Sequence, residues 1–177
     1  QRPFADSKLD PVWRHTDRSD VRSVLDVGCG PGTNAAAFTG IDYVGVDINP
    51  SYIEHARRSH GDRFEIADVR TGPIPGVGTH DFVLVNSLLH HLDDDDVASL
   101  LLELRQYVSE DGHIHVIELE LPERRGIARA LTKADRGNFP RTLSHWRRLL
   151  TREFDEIVFE AFSVPTRGPM LWSMVYF

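Results

Sequence analysis

Along the chain, short and nearly unbroken apolar runs alternate with stretches whose apolar residues recur every three or four positions. The runs at Ser23–Val27, Asp42–Asp47, 63–67, 81–86 and 112–118 predict five strands. Phe82-Val83-Leu84-Val85 shows no polar alternation, as expected of a parallel strand covered on both faces. A helix is predicted from about Thr33 to Phe38. Another opens at Asn49, a good N-cap followed by Pro50, and runs through about His60. Asp93 caps a third, with Asp94, Asp95 and Asp96 at its positive end and Val97, Leu100, Leu101, Leu104 and Val108 on one face. Two prolines and three glycines make 71–79 a loop. Residues 121–138 read as an irregular helix, and Thr142 caps a helix that buries Trp146, Leu149 and Leu150. Two closing strands, about 156–164 and 170–177, are joined by a linker at 165–169 too short for a helical crossover, so they must be antiparallel. This alternation reads as α/β with a largely parallel sheet.

Composition narrows the class. With 177 residues, 41% of them hydrophobic, the chain suits one soluble domain with a substantial core. No apolar run approaches the roughly 18 residues a membrane span needs. The first twenty residues are too charged for a signal peptide, which makes a cytoplasmic enzyme the expectation. The chain opens on Gln1, leaving room for residues ahead of it. A single cysteine, Cys29, excludes an internal disulfide or a multi-cysteine zinc site, and no metal is expected. Net charge of −7 argues against nucleic acid as a partner. The charge is uneven, however. Residues 122–152 hold nine basic side chains against two acidic ones, a local +7, so an acceptor bound there is expected to be anionic.

The richest segment is Asp26-Val27-Gly28-Cys29-Gly30-Pro31-Gly32-Thr33-Asn34, where a strand enters a turn with alternate glycines and then a helix. Glycines admit positive φ and close approach of a ligand, and the helix start would offer unpaired N–H groups. Asp47 ends the second strand nineteen residues beyond Gly28, where an acid accepts from the hydroxyls of an adenosine ribose. A nicotinamide dinucleotide site is the first rival. Its fingerprint wants a third glycine where Thr33 stands, and it gains nothing from Asp26, which suits a ligand carrying an ammonium group.

Asp26 to Gly32 resembles the first motif of the class I S-adenosylmethionine-dependent methyltransferases, and the likeness extends from about Val21 to Phe177. It implies a Rossmann-like three-layer sandwich with seven strands in the order 3-2-1-4-5-7-6, the seventh antiparallel. It implies S-adenosyl-L-methionine as cofactor and S-adenosyl-L-homocysteine as product. By resemblance, Asp26 works near the methionine ammonium, often through water. Gly28 and Gly30 pack on the methionine part within a turn that includes Cys29, Gly32 and Asn34. Asp47 and Ile48 meet the ribose and adenine end. Ile66-Ala67-Asp68-Val69 resembles the motif whose acid, Asp68, accepts from the adenine amino group, with the Val69 N–H beside the ring.

Val85-Asn86-Ser87-Leu88-Leu89-His90-His91-Leu92 resembles the fourth motif of the small-molecule branch, which puts Asn86 and Ser87 beside the cofactor, His90 in the acceptor pocket and His91 inward. His90 could take a proton from an acceptor hydroxyl or amine, although methyl transfer needs mainly alignment. His113 and His115 read as core or edge residues, and Glu118 or Glu120 could face the acceptor or solvent. The basic segment is either a solvated helix or an acceptor lid in which Arg124, Arg125, Arg129, Arg136 or Arg141 grasps a carboxylate or phosphate. Phe4, Trp13 and His15 are the candidates for covering the cofactor from a short N-terminal cap at 1–20. No Asn/Asp-Pro-Pro-Tyr/Phe run or acceptor-side cysteine points to a nucleobase or arsenic substrate. The expected reaction is methylation of an O or N atom of a small, anionic or neutral metabolite, lipid or sugar derivative. The rival of another class is a non-catalytic partner subunit, disfavoured by the intact set Asp26, Gly28, Gly30, Asp47 and Asp68.

Overall fold

The structure, a computed structural model, describes residues 2–124, 126–134, 137–165 and 171–177, and the side chains of all of these except 2–6, 131, 134 and 171. One sheet holds β1 (Ser23–Val27), β2 (Asp42–Asp47), β3 (Phe64–Ile66), β4 (His80–Asn86), β5 (Val108–Leu119), β6 (Glu160–Pro165) and β7 (Leu171–Tyr176). Its order is β3-β2-β1-β4-β5-β7-β6. β1 is parallel to β2 and β4, while β7 runs antiparallel to both β5 and β6. Order and directions agree with those the resemblance implies.

Successive residues of each strand serve opposite faces, which is why the central strands are apolar throughout. Leu25, Val27, Val83 and Val85 face a core closed by α3 (Asp94–Leu104) and α5 (Leu143–Leu150), through Val97, Leu100, Leu101, Leu104, Trp146, Leu149 and Leu150. Val24, Phe82 and Leu84 face the other core, closed by α1 (Arg2–His15) and α2 (Pro50–His60) through Leu9, Val12, Ile53 and Ala56. The result is three layers. Asp26 also lies between core residues, so β1 carries a carboxylate into the interior.

Four expectations need correction or narrowing. The helix expected over 33–38 is only a 3₁₀ turn at Ala35–Phe38. Asn34 at its start gives its side-chain amide to Asp26 instead of capping it, and Gly40 ends it at φ +86°. β5 starts at Val108 rather than Gly112, since a register irregularity between His80 and Phe82 lets the polar residues 109–112 join the strand. The helix expected over 121–138 is α4 (Ile127–Ala134), shorter at both ends. β6 starts at Glu160. The linker at 166–169 lies outside the described residues.

Candidate cofactor and acceptor site

The strand order reverses between β1 and β4, and open α/β sheets place ligands at the carboxyl ends of the strands flanking such a reversal. There β1 leads into the glycine turn. Gly28, Gly30 and Gly32 have φ of +71°, +55° and +78°, values that oppose any residue with a Cβ. A Cβ on Gly28 would fall 2.9 Å from Leu88 Cδ2, whereas one on Gly30 would have nothing within 4 Å. Gly30 therefore borders open space. The turn uses its own N–H groups: those of Gly28 and Cys29 donate to Val46 O, that of Gly30 to Asp47 Oδ2, and that of Gly32 to Cys29 O. Pro31 has none. The turn itself therefore has no N–H group left over. A phosphate would find no donor between Gly28 and Gly32, while a ligand lying flat along the turn meets only glycine backbone. The Cys29 thiol is buried and pushed up by that burial, so it is a packing group.

Behind the turn, a chain of polar side chains links β1, β2 and β4. Tyr43 Oη donates to Asp26 Oδ2 at 2.6 Å, and Asn34 Nδ2 donates to the same oxygen at 3.1 Å. Asn86 Nδ2 donates to Asn34 Oδ1, Ser87 Oγ to Asn86 Oδ1, and Lys8 Nζ, from α1, to Ser87 Oγ at 2.8 Å. Ser87 has φ +58°, and is the one non-glycine residue in that region among those described. Asp26 is fully buried, its Oδ1 has no partner, and burial raises its carboxyl to about 6. A buried carboxylate oxygen without a donor is costly.

Asp47 accepts from Gly30 N at 2.9 Å and from Asn49 N at 2.8 Å, one bond on each oxygen. A carboxylate offers about four acceptor sites, so two are left for hydroxyls. Beside it opens a cavity of about 120 Å³ between Val27, Gly28, Ile48, Asp68, Val69 and Leu88. Ile48 is 59% exposed and Val69 buried, which leaves an apolar slot uncovered on one side. Asp68 is held by Arg70, whose Nε and backbone N–H reach Oδ1 and whose Nη2 reaches Oδ2; these bonds keep its carboxyl below the usual range. Arg70 also donates to Asp96.

Across the cleft, the last but one residue of β5 is Glu118, fully buried. Its Oε1 accepts from the N–H groups of Leu88 and Leu89, and its Oε2 lies 2.6 Å from His90 Nδ1. The carboxylate only accepts, so Nδ1 carries a proton. His90 is 4% exposed, and Gly137 packs so near that a Cβ there would overlap the His90 ring. Arg141 fixes the same loop. Nε donates to Asp94 Oδ1, Nη1 to the carbonyls of Leu89 and Phe139, and Nη2 to that of Leu92, while the guanidinium lies over Trp146.

Arg141 is therefore not the anion-grasping residue expected of it; its donors are engaged inside the protein. Arg129 donates to the carbonyl of Pro122, and Arg147 pairs with Glu156. Arg125, Arg136 and the side chain of Phe4 lie outside the described residues. Trp13 packs against Phe38 and Phe82, and His15 pairs with Glu160, so neither covers the turn. Their helix presents Lys8, from its middle, to Ser87. A larger cavity of about 560 Å³ opens at the amino ends of the strands, among His15, Asp20, Asp81, His113 and Tyr176. There His115 is stacked on Phe82 and bonded to Tyr176 Oη, and burial followed by repulsion from His113 lowers it to about 3. Among the described residues no group of His, Cys, Asp or Glu is assembled for a metal.

The family description "Methyltransferase domain" matches residues 24–112, about half of the 177 residues. The chain belongs to this family. An uncharacterized methyltransferase of Mycolicibacterium paratuberculosis is 33% identical over 93 residues, which are 50% of this chain and 31% of the relative. The methyltransferase domain thus spans about a third of the length of the curated relatives it matches. Its fold is shared with mitomycin 7-O-methyltransferase (TM-score 0.68, 24% identity, 96% of this chain and 52% of that one). It is shared equally with human N-acetylserotonin methyltransferase in complex with SAM (TM-score 0.66, 23% identity, 99% and 55%). Among the described residues no helix is long and apolar enough to cross a membrane.

The methyltransferase domain brings Asp26, Asn34, Asn86 and Ser87 into one network and Asp47, Ile48, Asp68 and Val69 around one cavity. Sequence reasoning missed Arg70 and Gly137, and read Arg141 as either solvated or acceptor-grasping. Arg70 follows Asp68 by two positions, a spacing that allows a local ion pair, while nothing local marks Gly137 or the inward turn of Arg141.

Proposed function

We propose that this domain transfers a methyl group from S-adenosyl-L-methionine to an oxygen or nitrogen of a small metabolite, lipid or sugar derivative, an acceptor hydroxyl being favoured. The observation that carries the reading is the buried His90–Glu118 pair at the ends of β4 and β5, one loop away from the glycine turn.

The residues present fit the cofactor. The orphaned Asp26 Oδ1 lacks the cation that a methionine ammonium provides, directly or through water. Asp47 retains acceptor sites for two ribose hydroxyls, and Ile48 and Val69 offer apolar walls to adenine. The open space at Gly30 suits a chain lying along the turn. Asp68 keeps one acceptor site beyond its three bonds to Arg70, enough for one amino hydrogen. When bound, the cofactor supplies an electrophilic methyl group on a sulfonium.

Glu118 holds the His90 ring by Nδ1 and stabilises the imidazolium formed when Nε2 takes the acceptor's proton. Both its oxygens are engaged, so the pair is oriented before a ligand arrives. Of residues 122–152, α5 closes the core, and the part ahead of it is read as the acceptor lid, tied to the His90 loop through Arg141 and Phe139. With Arg129, Arg141 and Arg147 engaged within the chain, an anionic acceptor is left with Arg124, Lys133, Arg148 and Arg152 among the described cations of that segment.

The test is S-adenosylhomocysteine formation over a panel of hydroxyl- and amine-bearing small molecules, with His90→Ala and Glu118→Gln alongside the parent chain. Hydroxyl acceptors should turn over, and His90→Ala should lower kcat by about 10²-fold or more. Equal turnover by His90→Ala would remove the base and leave catalysis to alignment.

A further inference from the structure

The cavity of about 560 Å³ at the amino ends of the strands takes no part in the chemistry above. β4 runs from Asp81 on its wall to Asn86 at the cofactor end, a span of about 16 Å at about 3.3 Å per residue. A cavity of this size suits a small molecule. One wall is flat and aromatic. His115 stacks on Phe82 with centroids 3.8 Å apart and planes 16° from parallel, and the Tyr176 ring lies within 6° of parallel to His115. Ile157, also on the lining, is 73% exposed. The charge has one sign. Asp17, Asp20, Asp81, Asp111 and Asp155 line the cavity, and no described lysine or arginine does. Ser19 donates to Asp17, and the main chain of Arg22 and Ser23 donates to Asp81. Asp20, Asp111 and Asp155 make no hydrogen bond or ion pair with a described residue.

Acids alone would make only a solvated rim. His115 is the independent sign of a ligand. It is 5% exposed, and its Nδ1 is bonded to Tyr176 Oη while its Nε2 has no hydrogen-bond partner among the described residues. Asp26 Oδ1 is the one fully enclosed side-chain polar atom there without a partner, so Nε2 opens onto the cavity that His115 lines. A polar atom held in place by a stacked ring, with no protein partner, is a fixed contact point for a bound molecule. We propose that this cavity is a second ligand site, for a small organic cation that carries a flat aromatic ring. The ring lies along the wall of Phe82, His115 and Tyr176, and the ammonium sits among Asp20, Asp111 and Asp155, where charge and ring faces both favour it. Burial holds the His115 ring uncharged, so it does not repel the cation. The site is independent of the cofactor and acceptor reading.

Amide chemical-shift titration of the full chain with tryptamine tests it. Indolepropionate, which keeps the ring and reverses the charge, and pentylamine, which keeps the charge and lacks the ring, serve as comparisons. Tryptamine should move the amides of Asp111, His113 and His115 saturably, with a Kd of about 1 mM or tighter, and leave Gly30 and Asn49 in place. Both comparison ligands should bind at least about fivefold more weakly. Asp20→Asn, Asp111→Asn and Asp155→Asn combined change only exposed side chains, so the fold should survive, and tryptamine should weaken by about fivefold or more. His115→Phe, which keeps a ring but loses Nε2, should weaken it as well. No saturable shift at about 10 mM tryptamine, equal binding by either comparison ligand, or unchanged affinity in the combined variant would overturn the proposal. Shifts at Gly30 and Asn49 in place of those at 111–115 would overturn it too.

Discussion

Replacing Asp26 by asparagine tests the electrostatics of the site without altering its shape. Burial holds the native carboxyl at about 6, against about 3.9 in an unfolded chain. The native state therefore keeps a proton between these values that the unfolded state has released. Stability from this group is greatest below the unfolded value and is lost as pH rises through 6, in the sense opposite to a salt-bridged acid. The whole shift is worth about 3 kcal/mol, of which about 2 kcal/mol falls between about pH 4.5 and 7.5. Asparagine keeps an oxygen for Tyr43 and Asn34 but puts an amide N–H where Oδ1 is orphaned, an offset of about 1–3 kcal/mol that does not vary with pH. The diagnostic is thus the slope. Urea unfolding at several pH values should show the stability of the parent chain falling relative to Asp26→Asn by about 2 kcal/mol across that window. A difference flat in pH would show that Asp26 is not the strained, orphaned acid described. The same variant should bind S-adenosylhomocysteine about tenfold more weakly at neutral pH, since the ammonium loses its counter-charge.

Other substitutions bear on separate parts of the site. Asp47→Ala should weaken S-adenosylhomocysteine at least about tenfold by calorimetry, and an unchanged affinity with an intact fold would remove Asp47 from the site. Gly30→Val meets no protein atom but forces a β-branched residue to φ +55°; it should cost about 1–2 kcal/mol of stability and abolish cofactor binding. Normal binding by that variant would mean the ligand does not follow the turn. Arg141→Met strips donors from the carbonyls of Leu89, Leu92 and Phe139 and should cost about 3 kcal/mol or more in urea unfolding. A loss under about 0.5 kcal/mol would mark Arg141 as the solvated surface residue that its sequence context suggests.

What was legible in the sequence was what local chemistry determines. Ser23–Val27, Asp42–Asp47 and Pro50–His60 were expected with the bounds observed, because β-rich runs and the Asn49-Pro50 start are local signals. The glycine turn and Asp47 stood out for the same reason. The 3₁₀ turn at Ala35–Phe38 did not, because what shortens it is the engagement of Asn34 by Asp26. Arg141 reads as one of nine cations in a basic stretch, and only tertiary packing takes it inside. Lys8 and Ser87 are 79 positions apart, and no spacing rule joins them. Glu118 was visible as a strand-end acid, but its bond to His90 depends on the register of β4 against β5, which pairs Asn86 with Ile117.

Amide chemical-shift mapping of the chain on addition of S-adenosylhomocysteine reads the central claim residue by residue. The largest shifts are expected at Gly28, Gly30, Asn49 and Val69, with a second group at Asn86 and Ser87 and little change at His113 or His115. Shifts gathered instead around the cavity at the amino ends of the strands, or none at millimolar ligand, would contradict the account.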